Sequence, residues 1–192
     1  EKVVGTSGLS FSAEAALTPE SGLLIRSFVC GLSDPHPLIQ RGFLDLLVTN
    51  LPLGSPVLQE RVSKSDFDQL TTAAVCVLLR RDMSLNRRVW SWLLGPEPKD
   101  TNSTTPTTVA HAPGVPLTSD DSQQLRHFAR FGQASVERCL LAMLEHHDVR
   151  PTEKARPFRI CLSLMDRWEI GGVLVPKLFL PAMRSVYAYS KT

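Results

Sequence analysis

Long apolar runs are missing from this sequence. The longest uninterrupted ones, such as Ala73 to Leu79, reach about a third of the ~20 residues a bilayer crossing needs, which argues against a transmembrane helix. A surplus of one charge sign is missing too: 21 Lys and Arg stand against 19 Asp and Glu, a formal net charge of +2. No whole-molecule field therefore favours nucleic acid, and charged partners must be sought at local patches. Cysteine is sparse, and Cys30, Cys76, Cys139 and Cys161 sit far apart inside apolar stretches. Metal and disulfide frameworks show close, paired spacing, so these four read as reduced thiols of a cytosolic protein. The opening residues, EKVVGTSGLSFS, start at Glu1 and lack the charged and apolar regions of a secretory signal, so the chain reads as a fragment of something longer.

The spacings of common catalytic chemistry are also missing. There is no G-x-S-x-G elbow, no phosphate-binding G-x-x-x-x-G-K-[ST] loop, no G-x-G-x-x-G after a strand and no H-E-x-x-H. The nearest approach to a metal site is Cys139 with His146 and His147, where Cys139 and His146 share one helical face. Further ligands at workable spacing do not accompany them, so a core cysteine beside a helix-terminal histidine pair is the plainer reading, and no metal or cofactor is expected. A hydrolase using Cys139, His146 or His147 stands as the enzymatic rival. Asn102-Ser103-Thr104 matches a glycosylation acceptor formally, without a secretory signal to make use of it.

What is present is helical patterning. With 192 residues, 43% hydrophobic and 21% charged, the chain is long enough to hide roughly 70% of its unfolded surface without staples. Residues 1–17 are small and polar and read as a flexible lead-in. A first helix is expected from Thr18-Pro19-Glu20, carrying Leu23, Leu24, Phe28, Val29 and Leu32 up to Ser33-Asp34-Pro35. A second runs from about Pro37 to Asn50 with an apolar stripe of Leu38, Ile39, Phe43, Leu46, Leu47 and Leu51. After the breakers Leu51 to Pro56 comes a helix capped at Ser65 and apolar almost all round, from Asp66 to about Arg81. Ser84 is expected to cap another over Leu85 to Leu94, ended by Gly95 and Pro96. Residues 95–118 are rich in Pro and Thr and read as a loop within one domain, 18–192. The pattern resumes at Ser119 with Asp120 and Asp121 in the first turn, breaks near Gly132, and continues over Ala134 to His146. Phe158 to Met165 and about Glu169 to Tyr189 follow, the last expected to be kinked by Gly171, Gly172, Pro176 and Pro181, with Val173, Leu174, Leu178, Phe179 and Met183 as core. No strand-like alternation persists. Short connections between helices imply antiparallel pairs, so the fold class is all-α, a HEAT/armadillo-like α-solenoid.

The densest local feature is Arg80-Arg81-Asp82-Met83-Ser84-Leu85-Asn86-Arg87-Arg88. Arg80 and Arg81 end one helix, where positive charge is favoured; Arg87 and Arg88 fall early in the next, where the macrodipole opposes it. Asp82 and neighbouring acids pairing with them would lock the corner. The functional alternative is a docking point for an acidic segment or an anionic lipid head group, because guanidinium forks grip carboxylate and phosphate. Trp90 and Trp92 point different ways on their helix, so at most one is expected squarely in the core, and Trp92 joins Arg80, Arg81, Arg87 and Arg88 as a contact candidate.

The segment Leu32 to Arg41, LSDPHPLIQR, resembles the inter-helix turn of HEAT repeats, where an acid caps the second helix and an early arginine reaches across repeats. RRDMSLNRRVWSWLLG, Arg80 to Gly95, resembles the signature stretch of the Dopey family. RPFRICLSLMDRWEIG, Arg156 to Gly171, resembles a second block assigned to the same N-terminal domain, and QRGFLDLLVTNLPL, Gln40 to Leu53, a looser third. The resemblance covers most of Leu23 to Tyr187 apart from the Pro/Thr-rich loop. It implies part of the N-terminal domain of a very large cytosolic protein, peripheral on Golgi and endosome membranes. Such a protein would be a non-enzymatic scaffold for endosome-to-Golgi traffic and organelle organisation. The partners implied are a large exchange-factor-like Golgi scaffold, an aminophospholipid flippase and, in animals, kinesin light chain. Direct phosphoinositide binding by the same arginines is the alternative function. The first helix, expected to lack its natural neighbour, would leave an apolar face for a homodimer or for missing chain.

Overall fold

The computed structural model describes residues 21–96, 119–146 and 151–189, and among these every regular element is helical. The lead-in, the Thr18 cap, Asn102 and the Pro/Thr-rich loop beyond Pro96 lie outside the described residues. In chain order the helices are α1 (Ser21–Leu32), α2 (Pro37–Asn50), α3 (Lys64–Cys76), α4 (Met83–Leu94), α5 (Ser119–Phe131), α6 (Gln133–Glu145), the single turn α7 (Pro151–Lys154), α8 (Arg156–Met165) and α9 (Trp168–Tyr189). A π-helical turn, Val57–Arg61, precedes α3, and a 3-10 turn, Val77–Arg80, follows it.

Two rows of packing order these helices. α1 packs on α3, α3 on α6 and α6 on α9; α2 packs on α4 and α4 on α5, which meets both α6 and α9. A single buried apolar cluster runs from Ile25 through Leu70, Val89 and Leu140 to Leu178. Each such side chain contributes on the order of 1.5–3 kcal/mol by leaving water. α1 and α2 approach closely enough that a Cβ on Gly31 would stand 2.2 Å from the Phe43 ring, which itself meets Phe28 edge-on at 5.6 Å.

The starts of α3 and α4 differ from the sequence expectation by two residues. Ser63, not Ser65, caps α3: its Oγ accepts from the Asp66 amide and donates to the Asp66 carboxylate. Asp82, not Ser84, caps α4, its carboxylate accepting from the amides of Ser84 at 2.7 Å and Leu85 at 3.3 Å. In both cases the residue immediately before the first helical position takes the orphan amides. α2 begins and ends where its pattern says, yet its expected stripe is only partly buried: Leu47 and Leu51 are core, as is Leu44 outside that stripe, while Leu38, Ile39 and Leu46 are exposed. α9 runs through Pro176 and Pro181 as one helix.

Both tryptophans of α4 are buried, Trp90 at 7% and Trp92 at 1% exposure, against the expectation that only one would be. α4 lies between α2 and α5 with α8 beyond, so opposite faces of it are covered. The indole of Trp92 donates to the Leu51 carbonyl at 2.9 Å, and that of Trp90 to the Ser163 carbonyl at 3.2 Å. Trp92→Phe keeps most of the ring volume but leaves a buried carbonyl without its donor. The expected loss is about 1–3 kcal/mol of unfolding free energy, read from urea denaturation, with the larger share of any Trp92→Ala loss coming from the cavity.

Candidate functional site

The arginine corner forms where the 3-10 turn meets α4. Arg81 closes it in the left-handed region, φ 57°, with its amide donating to the Leu78 carbonyl. Arg80 points back to the α1–α2 turn, where its Nη2 donates to the carbonyls of Pro35 at 2.7 Å and Asp34 at 3.2 Å. Arg88 donates through Nε to the Asp45 carboxylate of α2 and through Nη1 to the carbonyl and hydroxyl of Ser84. The expected lock through Asp82 is therefore not what forms, because that carboxylate is occupied as the α4 cap. Nor does Arg41 reach across repeats; it sits 4.0 Å from Asp45 of its own helix, and Arg80 and Arg88 make the long-range ties instead. Asp34 accepts from the His36 amide just ahead of α2 rather than capping the helix itself.

The five candidate contacts thus divide. Trp92 is corrected to a core residue, since a side chain 1% exposed offers nothing to a partner. Arg80 and Arg88 are held by neighbouring turns and helices. Arg81 and Arg87 are exposed, and no described residue holds their side chains.

Other polar ties escaped the sequence reading because their members lie far apart along the chain. Arg138 of α6 grips Asp68 of α3 with Nε at 2.9 Å and Nη2 at 2.6 Å, and Ser135 Oγ donates to the same carboxylate at 2.7 Å. Burial alone would raise the Asp68 pKa, but these hydrogen bonds and the Arg138 charge prevail and lower it. Glu169, 2% exposed, receives Arg167 Nη2 at 2.8 Å, and the same Nη2 donates to Gln124 Oε1 of α5 at 3.0 Å. That cluster ties the start of α9 to α5 through Arg167 and Glu169.

Among the described residues no group of three or more His, Cys, Asp or Glu could hold a metal ion. Cys139 is buried and His146 exposed, while His147 lies outside the described residues. Burial pushes the Cys139 and Cys161 thiols up to about 11, the wrong direction for a nucleophile at neutral pH.

The largest uncovered apolar face lies at the α8–α9 end. Leu162, Met165 and Phe179, 64%, 47% and 59% exposed, line an apolar groove of about 350 Å³ that also takes in Phe158 and Leu174, and Met183 of the same helix is 54% exposed. Phe179 and Met183 were expected in the core. Leu174 and Leu178 are there; the other two project from the opposite side of a helix covered on one side only. α1, by contrast, buries Ile25, Phe28 and Leu32 and exposes only Leu23 among its large apolar side chains, so the open apolar face expected there is at the other end of the molecule.

Among the described residues no helix is long and apolar enough to cross a membrane. A family model described as Dopey, N-terminal matches residues 6–98, and one described as the DOP1 middle TPR domain matches residues 127–192, so the Arg156 to Gly171 block falls in the second. The chain is 50% identical over 184 residues to Protein dop1 of Emericella nidulans, covering 94% of this chain and 10% of that protein. It is 36% identical over 176 residues to Protein DOP1 of Saccharomyces cerevisiae, 91% of this chain and 10% of that protein. Protein DOP1B of Xenopus laevis is 32% identical over 186 residues, 91% of this chain and 8% of that protein. The chain therefore spans about a tenth of the curated relatives it matches. No solved structure matches it.

Two measurements probe this geometry. Arg81→Gly removes the steric cost of a left-handed arginine and is expected to stabilise the fold by about 0.5–1 kcal/mol, seen as a rise of a few degrees in Tm. Thiol titration at neutral pH should label exposed Cys30 first and reach Cys139 only on unfolding, since burial both shields that thiol and holds it protonated.

Proposed function

The chain belongs to the Dopey family, and from that premise we propose that it works as a non-enzymatic scaffold module, an α-solenoid of antiparallel helix pairs that joins other proteins in endosome-to-Golgi traffic and organelle organisation. The site of action is the cytosolic surface of Golgi and endosome membranes. The partners are a large exchange-factor-like Golgi scaffold, an aminophospholipid flippase complex and, in animals, kinesin light chain.

The observation that carries this reading is the uncovered α8–α9 face. Its exposed Leu162, Met165 and Phe179 line a groove with almost no polar lining, and a contiguous apolar surface of this kind is the usual mark of a protein–protein contact. The two rows of helix packing support a solenoid, because each pair covers one neighbour and leaves a face for the next. The raised Cys139 and Cys161 thiols argue against the hydrolase alternative.

A second reading rests on Arg81 and Arg87, the two corner arginines that no described residue holds: they would receive an anionic lipid head group such as a phosphoinositide. Co-purification with the Golgi scaffold and the flippase, followed by immunoblotting, separates the two. Phe179→Asp with Met183→Asp is expected to lower partner recovery roughly tenfold at unchanged helicity by circular dichroism. Arg81→Glu with Arg87→Glu is expected to leave it intact. Partner recovery unaffected by the α9 changes, together with flotation on phosphatidylinositol 4-phosphate liposomes that the arginine changes abolish, would replace the scaffold reading by the lipid one.

A further inference from the structure

A second concavity, which shares no lining residue with the apolar groove, runs along α3. It encloses about 970 Å³ between the C-terminal end of α1, the length of α3 and the first residue of α8. Its deep surface includes Leu32 and Ala73, 1% and 7% exposed. Lys64 lines it at the start of α3, and Arg80 and Arg156 line it beyond the last turn. Lys64 and Cys76, against which Arg156 rests, bound α3; at about 1.5 Å per residue they lie about 18 Å apart along the axis.

The charges of this groove are unbalanced. Asp68 is the one carboxylate that lines it, and that carboxylate is already gripped from the far side by both arms of Arg138 and by Ser135. Glu153 stands 3.9 Å from Arg156 Nη1, an i,i+3 ion pair outside the groove's lining. Arg80 uses Nη2 on the Asp34 and Pro35 carbonyls, which fixes its position without neutralising its charge. Three cations at two ends of an apolar-floored channel thus face two carboxylates, Asp68, which Arg138 also holds, and Glu153 beside Arg156, so the channel keeps an excess of positive charge.

We propose that this groove docks a short acidic segment of a partner protein, carrying one carboxylate at Lys64, another at Arg80 and Arg156, and apolar side chains between them. An extended segment of about six residues spans that distance. The apolar centre supplies burial and the end charges supply register and on-rate. The proposal goes beyond the scaffold reading, whose support lies on the separate α8–α9 face.

The test is fluorescence anisotropy on the full chain with a fluorescein-labelled probe in which glutamates flank a Leu-Gly-Phe-Leu centre, against a counterpart flanked by lysines. The glutamate probe is expected to bind, and the lysine probe to bind at least roughly tenfold more weakly. Lys64→Glu with Arg156→Glu should weaken the glutamate probe by a similar factor. Gln69→Trp, which fills the channel from an exposed lining position without altering charge, should do the same at unchanged helicity. Arg81→Glu with Arg87→Glu should change nothing. No binding of the glutamate probe, equal binding of the two probes, loss only on Phe179→Asp with Met183→Asp, or binding confined to phosphatidylserine vesicles would each overturn the proposal. Failure of the scaffold reading would show instead as absent co-purification, whatever the anisotropy gives.

Discussion

The packing depends on α4 being covered on both sides. Trp90 and Trp92 sit two apart on one helix and so face nearly opposite ways, and each needs an apolar bed and a carbonyl for its indole N–H. The molecule meets both demands by placing the end of α2 against one face and α8 against the other. That choice ties residues near position 51 to residues near position 163. The N-terminal and C-terminal stretches, matched by different family models, therefore share one core. Exposure of either ring would cost several kcal/mol, more than any single ion pair here can return.

Around that core, arginine acts as a measuring rod. Arg80 reaches the α1–α2 turn, Arg88 reaches α2, Arg138 reaches α3 and Arg167 reaches α5. In each case a planar fork meets a carbonyl, a carboxylate or an amide oxygen on an earlier element. A long side chain with donors in fixed directions specifies separation and register where an apolar contact would allow sliding. Most of these pairs are partly solvated, so their worth lies in selecting one arrangement rather than in raising total stability. Arg167 with Glu169 is the exception in kind: its carboxylate is almost fully buried, and removing the arginine would leave a charge with few remaining partners.

Much of the helical order was legible in the sequence, because apolar spacing and breakers act locally. The bounds of α2, the break at Gly132 and the stop at Gly95 follow from residues within a few positions of each boundary. Caps were misplaced because Ser65 and Ser84 look as suitable as Ser63 and Asp82 until the first amides are counted. The site was less legible. Trp92 reads as a contact from its cluster of arginines, yet its environment is set by Leu51, far back in the chain. The same holds for Asp68, whose partner Arg138 lies on another helix altogether. Helical spacing says that α9 has an apolar stripe, but not that Leu174 and Phe179 lie on covered and uncovered sides, since that depends on which helices are present to cover it.

The two concave surfaces differ in the kind of discrimination they permit. The α8–α9 face is dry and weakly featured, so it gains from any apolar body of matching shape and selects chiefly by fit. The α3 groove carries its cations at separated positions along a rigid helix, so it rejects a partner whose acids fall at the wrong interval and pays for no rearrangement to do so. A segment bearing positive charge meets Lys64, Arg80 and Arg156 as repulsion, and the one carboxylate that lines the groove, Asp68, is held by Arg138. Shape at one end and charge spacing along the side are independent criteria, and a module that joins several proteins at once needs its surfaces to choose independently.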